Sequence, residues 1–314
     1  MKRFIGPILA VLLAGCASVP QTEFERIQAA ADKVPDTRGT GPYAATMEID
    51  PQLPGYVVYR PADLASFSKG TLGVFVWGNG GCAADGSAQR QHLAEIASHG
   101  YLVIAPGKWL SGPNRKEKRP PPRPAGAPMT FATSATDLAY ALDWAIAENG
   151  RVGSRYLGLV DADAIALGGF SCGGIQALRL ADDPRIDTLV IQNSGIFNDA
   201  PPGPPAGEMA MEKSQLDKIR TPVLYLLGGP TDIAYANGTD DFARIRRVPA
   251  MMVNIPTGHG GTYDQPNGGK AAEIVTDWLQ WHLRRDKGAE AAFACPAGKW
   301  CTDPEVTIER KNRL

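Results

Sequence analysis

Near the middle of the chain, Ala164-Ile165-Ala166-Leu167 reads as a short buried strand and residues 174–180 as the start of a helix, with Gly169-Phe170-Ser171-Cys172-Gly173 between them. A strand that passes into a helix within so few residues needs a sharp turn. Small residues on both sides of Ser171 let the two backbones crowd together there. The G-x-S-x-G pattern recurs by chance when it stands alone; between strand and helix it carries weight. Such a turn leaves a serine hydroxyl exposed at a helix N-terminus, above a sheet that is covered on both faces. The junction therefore restricts the chain to layered α/β architectures.

The surrounding sequence alternates in the same way. Apolar runs at 55–60, 72–77, 101–105, 164–167, 188–192, 223–227 and 250–255 are strand candidates, and helical patterns occupy 87–98, 134–148, 174–181, 240–246 and 271–284. Short apolar runs separated by helices read as βαβ units around a parallel sheet. The expectation is a single α/β domain over 41–290, with a mostly parallel central sheet and helices on both faces. Two Pro-rich stretches, 107–128 and 199–207, interrupt the pattern and must be loops. The first contains the basic run Asn114-Arg115-Lys116-Glu117-Lys118-Arg119. That run is expected to be a solvated surface loop, the sharper alternative being a contact for anionic membrane or cell-wall polymers. Residues 291–314 read as an appended tail.

With 32 basic and 33 acidic residues, the formal charge is −1, without the basic excess of a nucleic-acid binder. At the N-terminus, Lys2 and Arg3 precede an apolar stretch over 4–13, as in a secretory signal. The stretch is shorter than the ~20 residues needed to span a bilayer. Leu13-Ala14-Gly15-Cys16 resembles the bacterial lipobox. The resemblance implies a signal peptide over 1–15, acylation of Cys16 and a membrane-anchored tether over 16–40, with a short helix near 23–31 and an otherwise poorly ordered lead-in. It places the protein in the bacterial cell envelope, with the outer membrane favoured by Ala17 after the cysteine. An ordinary signal peptide is the alternative. Beyond Cys16, the cysteines are Cys82, Cys172, Cys295 and Cys301, an even number that suggests disulfides in an exported chain.

Three further loops follow strand candidates: Gly78-Asn79-Gly80-Gly81-Cys82, Gly228-Gly229-Pro230-Thr231-Asp232, and Thr257-Gly258-His259-Gly260-Gly261-Thr262-Tyr263. Together with the Ser171 turn, they resemble the α/β-hydrolase superfamily over roughly residues 45–285. Within it the chain is most similar to the dienelactone-hydrolase-like and cutinase- or chlorophyllase-like branch. Dienelactone hydrolases carry a cysteine nucleophile where this chain has Ser171, so their lactone substrate does not transfer. The superfamily's chain order of serine, acid, histidine implies roles for particular residues. Of the four histidines, His92 and His99 precede Ser171, and His282 lies in a helical pattern that suits a structural histidine. His259 remains as general base, taking the serine proton and returning it to the leaving group. Asp232 would orient the imidazole. Asp240 and Asp241 are competing acids, placed instead at the start of the following helix.

The resemblance also implies an oxyanion hole from the N–H groups of Cys172 and Asn79, with Gly80 as second choice. Trp77, Trp109 and Tyr263 lie on predicted active-site loops and could form an apolar platform for substrate, though core packing explains them equally well. Because the loops holding Cys82 and Cys172 are neighbours in such a fold, these two are expected to pair. That leaves Cys295 with Cys301, with buried free thiols as the alternative. The implied activity is carboxylic-ester hydrolysis on small or polymeric esters, with no cofactor or metal. The competing readings are a serine peptidase, an acyltransferase, and a non-catalytic binding protein on a hydrolase scaffold.

Overall fold

The apolar runs become strands of one nine-stranded sheet in the computed structural model, which describes residues 26, 28–121, 130–199 and 207–312. The expected signal peptide, Cys16 and residues 17–25 and 27 of the tether lie outside the described residues, as do 122–129 and 200–206 of the Pro-rich loops. The strands are β1 (Ala45–Glu48), β2 (Tyr56–Pro61), β3 (Leu72–Gly78), β4 (Tyr101–Pro106), β5 (Val160–Phe170), β6 (Thr188–Gln192), β7 (Val223–Leu227), β8 (Ala250–Asn254) and β9 (Thr307–Lys311). Their order across the sheet is β1-β2-β4-β3-β5-β6-β7-β8-β9. The run from β4 to β8 is parallel, while β1, β2 and β9 pair antiparallel at the edges. The helices are α1 (Arg90–Ser98), α2 (Ala135–Gly150), α3 (Cys172–Arg179), α4 (Tyr235–Arg244), α5 (Gly269–Arg284), α6 (Lys287–Ala292) and α7 (Lys299–Thr302). This is an α/β fold compatible with the α/β-hydrolase arrangement. No helix among the described residues is long and apolar enough to cross a membrane.

Strands that are apolar at every position serve two cores at once. In β3, Leu72, Val74 and Val76 face α2 and α3, where Leu138, Leu142 and Leu178 cover them. Phe75 and Trp77 point the other way, onto Leu93 and Ile96 of α1 and Ile274 and Trp278 of α5. Each large side chain so buried contributes about 1.5–3 kcal/mol. Strands β3 and β5 are adjacent in space, although the chain leaves β3 for β4 on one side and returns to β5 on the other. Loops diverge at such a switch point and open a crevice beyond the C-terminal strand ends.

The described lead-in from residue 28 and the C-terminal segment through residue 312 are more firmly built in than the sequence suggests. The lead-in, expected to be poorly ordered, is pinned by its own acids. Asp32 bonds Arg119 and the N–H of Gly112, and Asp36 bonds Arg90 and Asn114. Thr40 meets Glu95 of α1 through both its N–H and its hydroxyl. Residues 28–31 are helical, as expected for part of 23–31. The packed domain thus begins ahead of residue 41. At the other end, the tail supplies β9, which pairs antiparallel with β8 and occupies the sheet edge. The basic loop engages the surface, with Arg115 and Arg119 on Asp32, Lys108 on Glu117, and Lys116 over the Trp109 ring.

Two disulfides join Cys82 to Cys172 and Cys295 to Cys301, with Cα atoms 5.3 and 5.4 Å apart. The first spans 90 residues and ties the loop after β3 to the start of α3. Loop closure over that length limits the unfolded chain by about 4–5 kcal/mol. Replacing both Cys82 and Cys172 by Ala should lower the unfolding free energy by about 2–5 kcal/mol in equilibrium denaturation. Removing Cys295 and Cys301, which close a short loop, should cost less; equal losses from the two pairs would contradict this account.

Candidate active site

Ser171 stands between β5 and α3 as the residue that starts the helix, with φ 53° and ψ −120°. A side chain in that region of backbone space costs on the order of 1–3 kcal/mol, so its surroundings must hold it there. Three hydrogen bonds do so. The Ser171 N–H donates to the Gln192 carbonyl at 3.0 Å, while its own carbonyl accepts from Gly174 N–H at 2.9 Å and from the Ser194 hydroxyl at 2.6 Å. Gly173 permits the turn. A Cβ there would lie 2.0 Å from the carbonyl carbon and oxygen of Gly78 and 2.7 Å from Asn79 N. The backbone of the loop after β3 therefore rests directly on the first turn of α3.

From Ser171 a chain of hydrogen bonds crosses the C-terminal edge of the sheet. His259 Nε2 lies 3.0 Å from Ser171 Oγ, and His259 Nδ1 lies 2.6 Å from Asp232 Oδ1. Asp232 follows β7 and His259 follows β8, so adjacent parallel strands deliver them to the same side. The Asp232 side chain is fully buried. Burial alone would raise its carboxyl. The His259 hydrogen bond and the N–H groups of Ala234 and Gly228 outweigh that and hold it below the usual carboxylate range. Asp240 and Asp241 sit in α4 and turn away, bonding Arg244 and Lys213. His92 is fully buried and pushed down to about 3 by that burial, and His282 likewise to about 4. Both are neutral at ordinary pH and face other parts of the core.

The residues read as oxyanion donors also converge. Cys172 is the first residue of α3, where helical N–H groups have no acceptor within the helix. Asn79 N lies beside Gly173, as the clash distance above shows. The Asn79 side chain has a separate task, donating to the carbonyls of Ala83 at 2.8 Å and Pro106 at 2.6 Å, which sets the loop. Gly80 packs against the Phe170 ring and begins the short turn that ends at Cys82. The Cys82–Cys172 bridge links this loop to the helix.

The aromatic platform is a different matter. Trp77 is 0% exposed and packs with Phe75, His92 and Tyr263 in the α1/α5 core. Tyr263 and Trp109 belong to the same core cluster. None of the three lines the cavity at Ser171. That cavity, of about 90 Å³, is walled by Ile175, Phe197, Met209, Ile233 and Ala234, with Asn237 also at its wall. Asn193 and Ser194, which directly follow β6, also reach the site and were not singled out in the sequence. The cue available was their position, since a loop after a central parallel strand opens onto this edge. Among the described residues, no group of three or more His, Cys, Asp or Glu is placed to hold a metal ion. The chain matches no protein-family model and no curated protein.

Two outcomes follow from this geometry. Gly173→Ala should force the loop after β3 away from α3 and destabilise the protein by about 1–3 kcal/mol, as overpacking does. Chemical denaturation measures it, and an unchanged midpoint would show that the backbones can part freely. The second concerns Asp241, whose carboxyl burial pushes up to about 6 despite the opposing Lys213 and Ile196 N–H. An unfolded aspartate titrates near ~3.9, so the native state holds the extra proton between the two values. The associated stability is complete below about 3.9 and is lost as pH rises through about 6. Asp241→Asn cannot titrate. The unfolding free energy of the natural protein relative to this variant should fall across that window, and a flat difference would remove the basis for the shift.

Proposed function

We propose that this chain is a serine carboxylic-ester hydrolase of the α/β-hydrolase type. The observation that carries the reading is the continuous hydrogen-bonded run from Ser171 through His259 to buried Asp232 at the C-terminal edge of a parallel sheet. An unassisted serine hydroxyl is a weak nucleophile, and an imidazole 3.0 Å away can take its proton as it attacks. Asp232 holds the Nδ1–H tautomer, which leaves Nε2 free to accept, and offsets the charge of the imidazolium that forms. The tetrahedral oxygen would be met by the N–H groups of Cys172 and Asn79. His259 then returns its proton to the leaving alcohol, and a water activated by the same imidazole resolves the acyl-enzyme.

The walls of the cavity favour an apolar group next to the reacting carbonyl. Ile233, one residue beyond Asp232, is 73% exposed at the rim and extends that apolar surface outward. This suits a small ester, or a polymer segment lying across the mouth. Two disulfides fit an oxidising compartment, and the lipobox-like Cys16 would tether the protein to a membrane of the cell envelope.

The test is hydrolysis of p-nitrophenyl acetate and butyrate by the purified protein beside Ser171→Ala. Saturable turnover that falls by about 10³-fold or more in the variant is the expected result. Equal, slow rates in both proteins, with no labelling of Ser171 by a fluorophosphonate probe, would overturn the reading in favour of a binding scaffold. Adding an alcohol acceptor separates a hydrolase from an acyltransferase by its products.

A further inference from the structure

We propose that Asn193 and Tyr263 form a positioning pair that fixes both neighbours of His259, the Asp232 carboxylate and the Gly258 peptide. The consequence for catalysis rests on the hydrolase reading above; the pairing itself rests on hydrogen-bond geometry. Asn193 follows β6 with φ 43°, a left-handed conformation that Asn tolerates better than most side chains. Its N–H donates to the Leu226 carbonyl at 2.7 Å, which anchors it against β7. Its side-chain amide is buried, and both of its polar atoms are engaged. Nδ2 donates to Asp232 Oδ2 at 2.8 Å and to the Gly258 carbonyl at 3.1 Å, while Oδ1 accepts from the Tyr263 hydroxyl.

The chemistry of the partners leaves this amide one orientation. Asp232 and the Gly258 carbonyl can only accept, and the Tyr263 hydroxyl can donate. Turning the amide over would press Oδ1 against a carboxylate and a carbonyl. Burial, then the nearby Asp232 charge, pushes the Tyr263 phenol well above its ordinary range, so it stays a donor. The ring is held from several sides, by Phe170 at 5.0 Å, His92 at 5.2 Å and Trp77 at 6.4 Å between centroids. Tyr263 is thus a fixed point against which the Asn193 amide is set.

Two functional groups are set in turn. The Asp232 carboxylate receives four donors. Oδ1 takes His259 Nδ1 and Ala234 N–H, and Oδ2 takes Asn193 Nδ2 and Gly228 N–H. Without Asn193, Oδ2 keeps one donor and the carboxylate can rotate away from the imidazole. The Gly258 peptide is clamped at both ends, its carbonyl by Asn193 and its N–H by the Gly228 carbonyl at 2.9 Å. Gly228 must be glycine for that approach, since a Cβ would lie 2.0 Å from the Gly258 oxygen and 2.9 Å from Asn193 Nδ2. The residue before His259 and the acid behind it therefore share one support, in which Asn193 also borders the cavity while Tyr263 stands behind it in the core.

The test compares Tyr263→Phe and Asn193→Ala with the natural sequence in the full chain, by two independent readouts. The first is the downfield proton resonance of His259 Nδ1, assigned by its disappearance in His259→Gln. It should be lost or move upfield in Asn193→Ala and move less in Tyr263→Phe. The second is ester turnover. kcat should fall about 10–100-fold in Asn193→Ala, the range typical of residues that orient a functional ligand, with KM nearly unchanged. A smaller fall is expected for Tyr263→Phe. In Asn193→Ala the acidic limb of the kcat/KM profile should also move to higher pH. Loss of a donor makes the Asp232–His259 pair hold a proton more tightly, and a merely structural role would not shift that limb. Tyr263→Phe keeps the packed ring and deletes one oxygen, so it carries the test should Asn193→Ala fail to fold. An unmoved resonance in folded variants would overturn the proposal whatever the activity. A resonance that responds as described in a protein without ester turnover would support the pair and overturn the hydrolase reading instead.

Discussion

Where β3 ends at Gly78, its carbonyl lies against the first turn of α3, and no side chain can stand between them. That contact sets the distance between the loop after β3 and Ser171, and the buried Cys82–Cys172 bridge holds it covalently. It also explains why the backbone at Ser171 can remain in a costly conformation. The strain is local, while the bonds that oppose its relief come from Gly174 in α3 and from Gln192 and Ser194 at the end of β6 and just beyond it. The parallel order of β3, β5, β6, β7 and β8 then does the rest. Every loop that contributes to the candidate site leaves the same edge of the sheet.

Electrostatics at that edge follow from how the buried charge is shared. Asp232 is fully buried yet held below the usual carboxylate range, because burial is opposed by the His259 hydrogen bond and the N–H groups of Ala234 and Gly228. Asp241, also fully buried, is pushed up to about 6, although Lys213, Tyr225 and the Ile196 N–H reach it. The contrast between the two shows what the His259 imidazole and the Ala234 and Gly228 peptides contribute around Asp232. A carboxylate kept ionised and rotationally fixed is what a neighbouring imidazole needs in order to present its other nitrogen to Ser171.

Much of this was legible along the chain. Ser171, Asp232 and His259 each lie in a glycine-rich loop directly after an apolar run, and the structure brings the three side chains together. Trp77 stands next to a glycine-rich loop in the sequence, but it ends the alternation of β3 on the same face as Phe75 and so belongs to the core. Asn193 carries no local signature. Its partners are 39 and 70 residues away, and nothing in Gln192-Asn193-Ser194-Gly195 announces them. Strand β9, Thr307-Ile308-Glu309-Arg310-Lys311, has a single apolar side chain, and its extended form comes from pairing with β8. The docking of the lead-in is hidden in the sequence for a similar reason. Asp32 and Asp36 look like solvated charges until Arg90 and Arg119 are seen beside them.

By itself, the sequence determined the layered α/β plan and the sharp turn at Ser171. Hydrophobic periodicity and glycine spacing act over a few residues and need no knowledge of distant segments. Only the tertiary structure decided which acid faces His259, which side chains wall the cavity, how residues 32–40 and strand β9 dock, and that an asparagine and a tyrosine stand behind the acid. Those outcomes depend on which strand ends meet at one edge of the sheet, and that meeting is set by packing across the whole core.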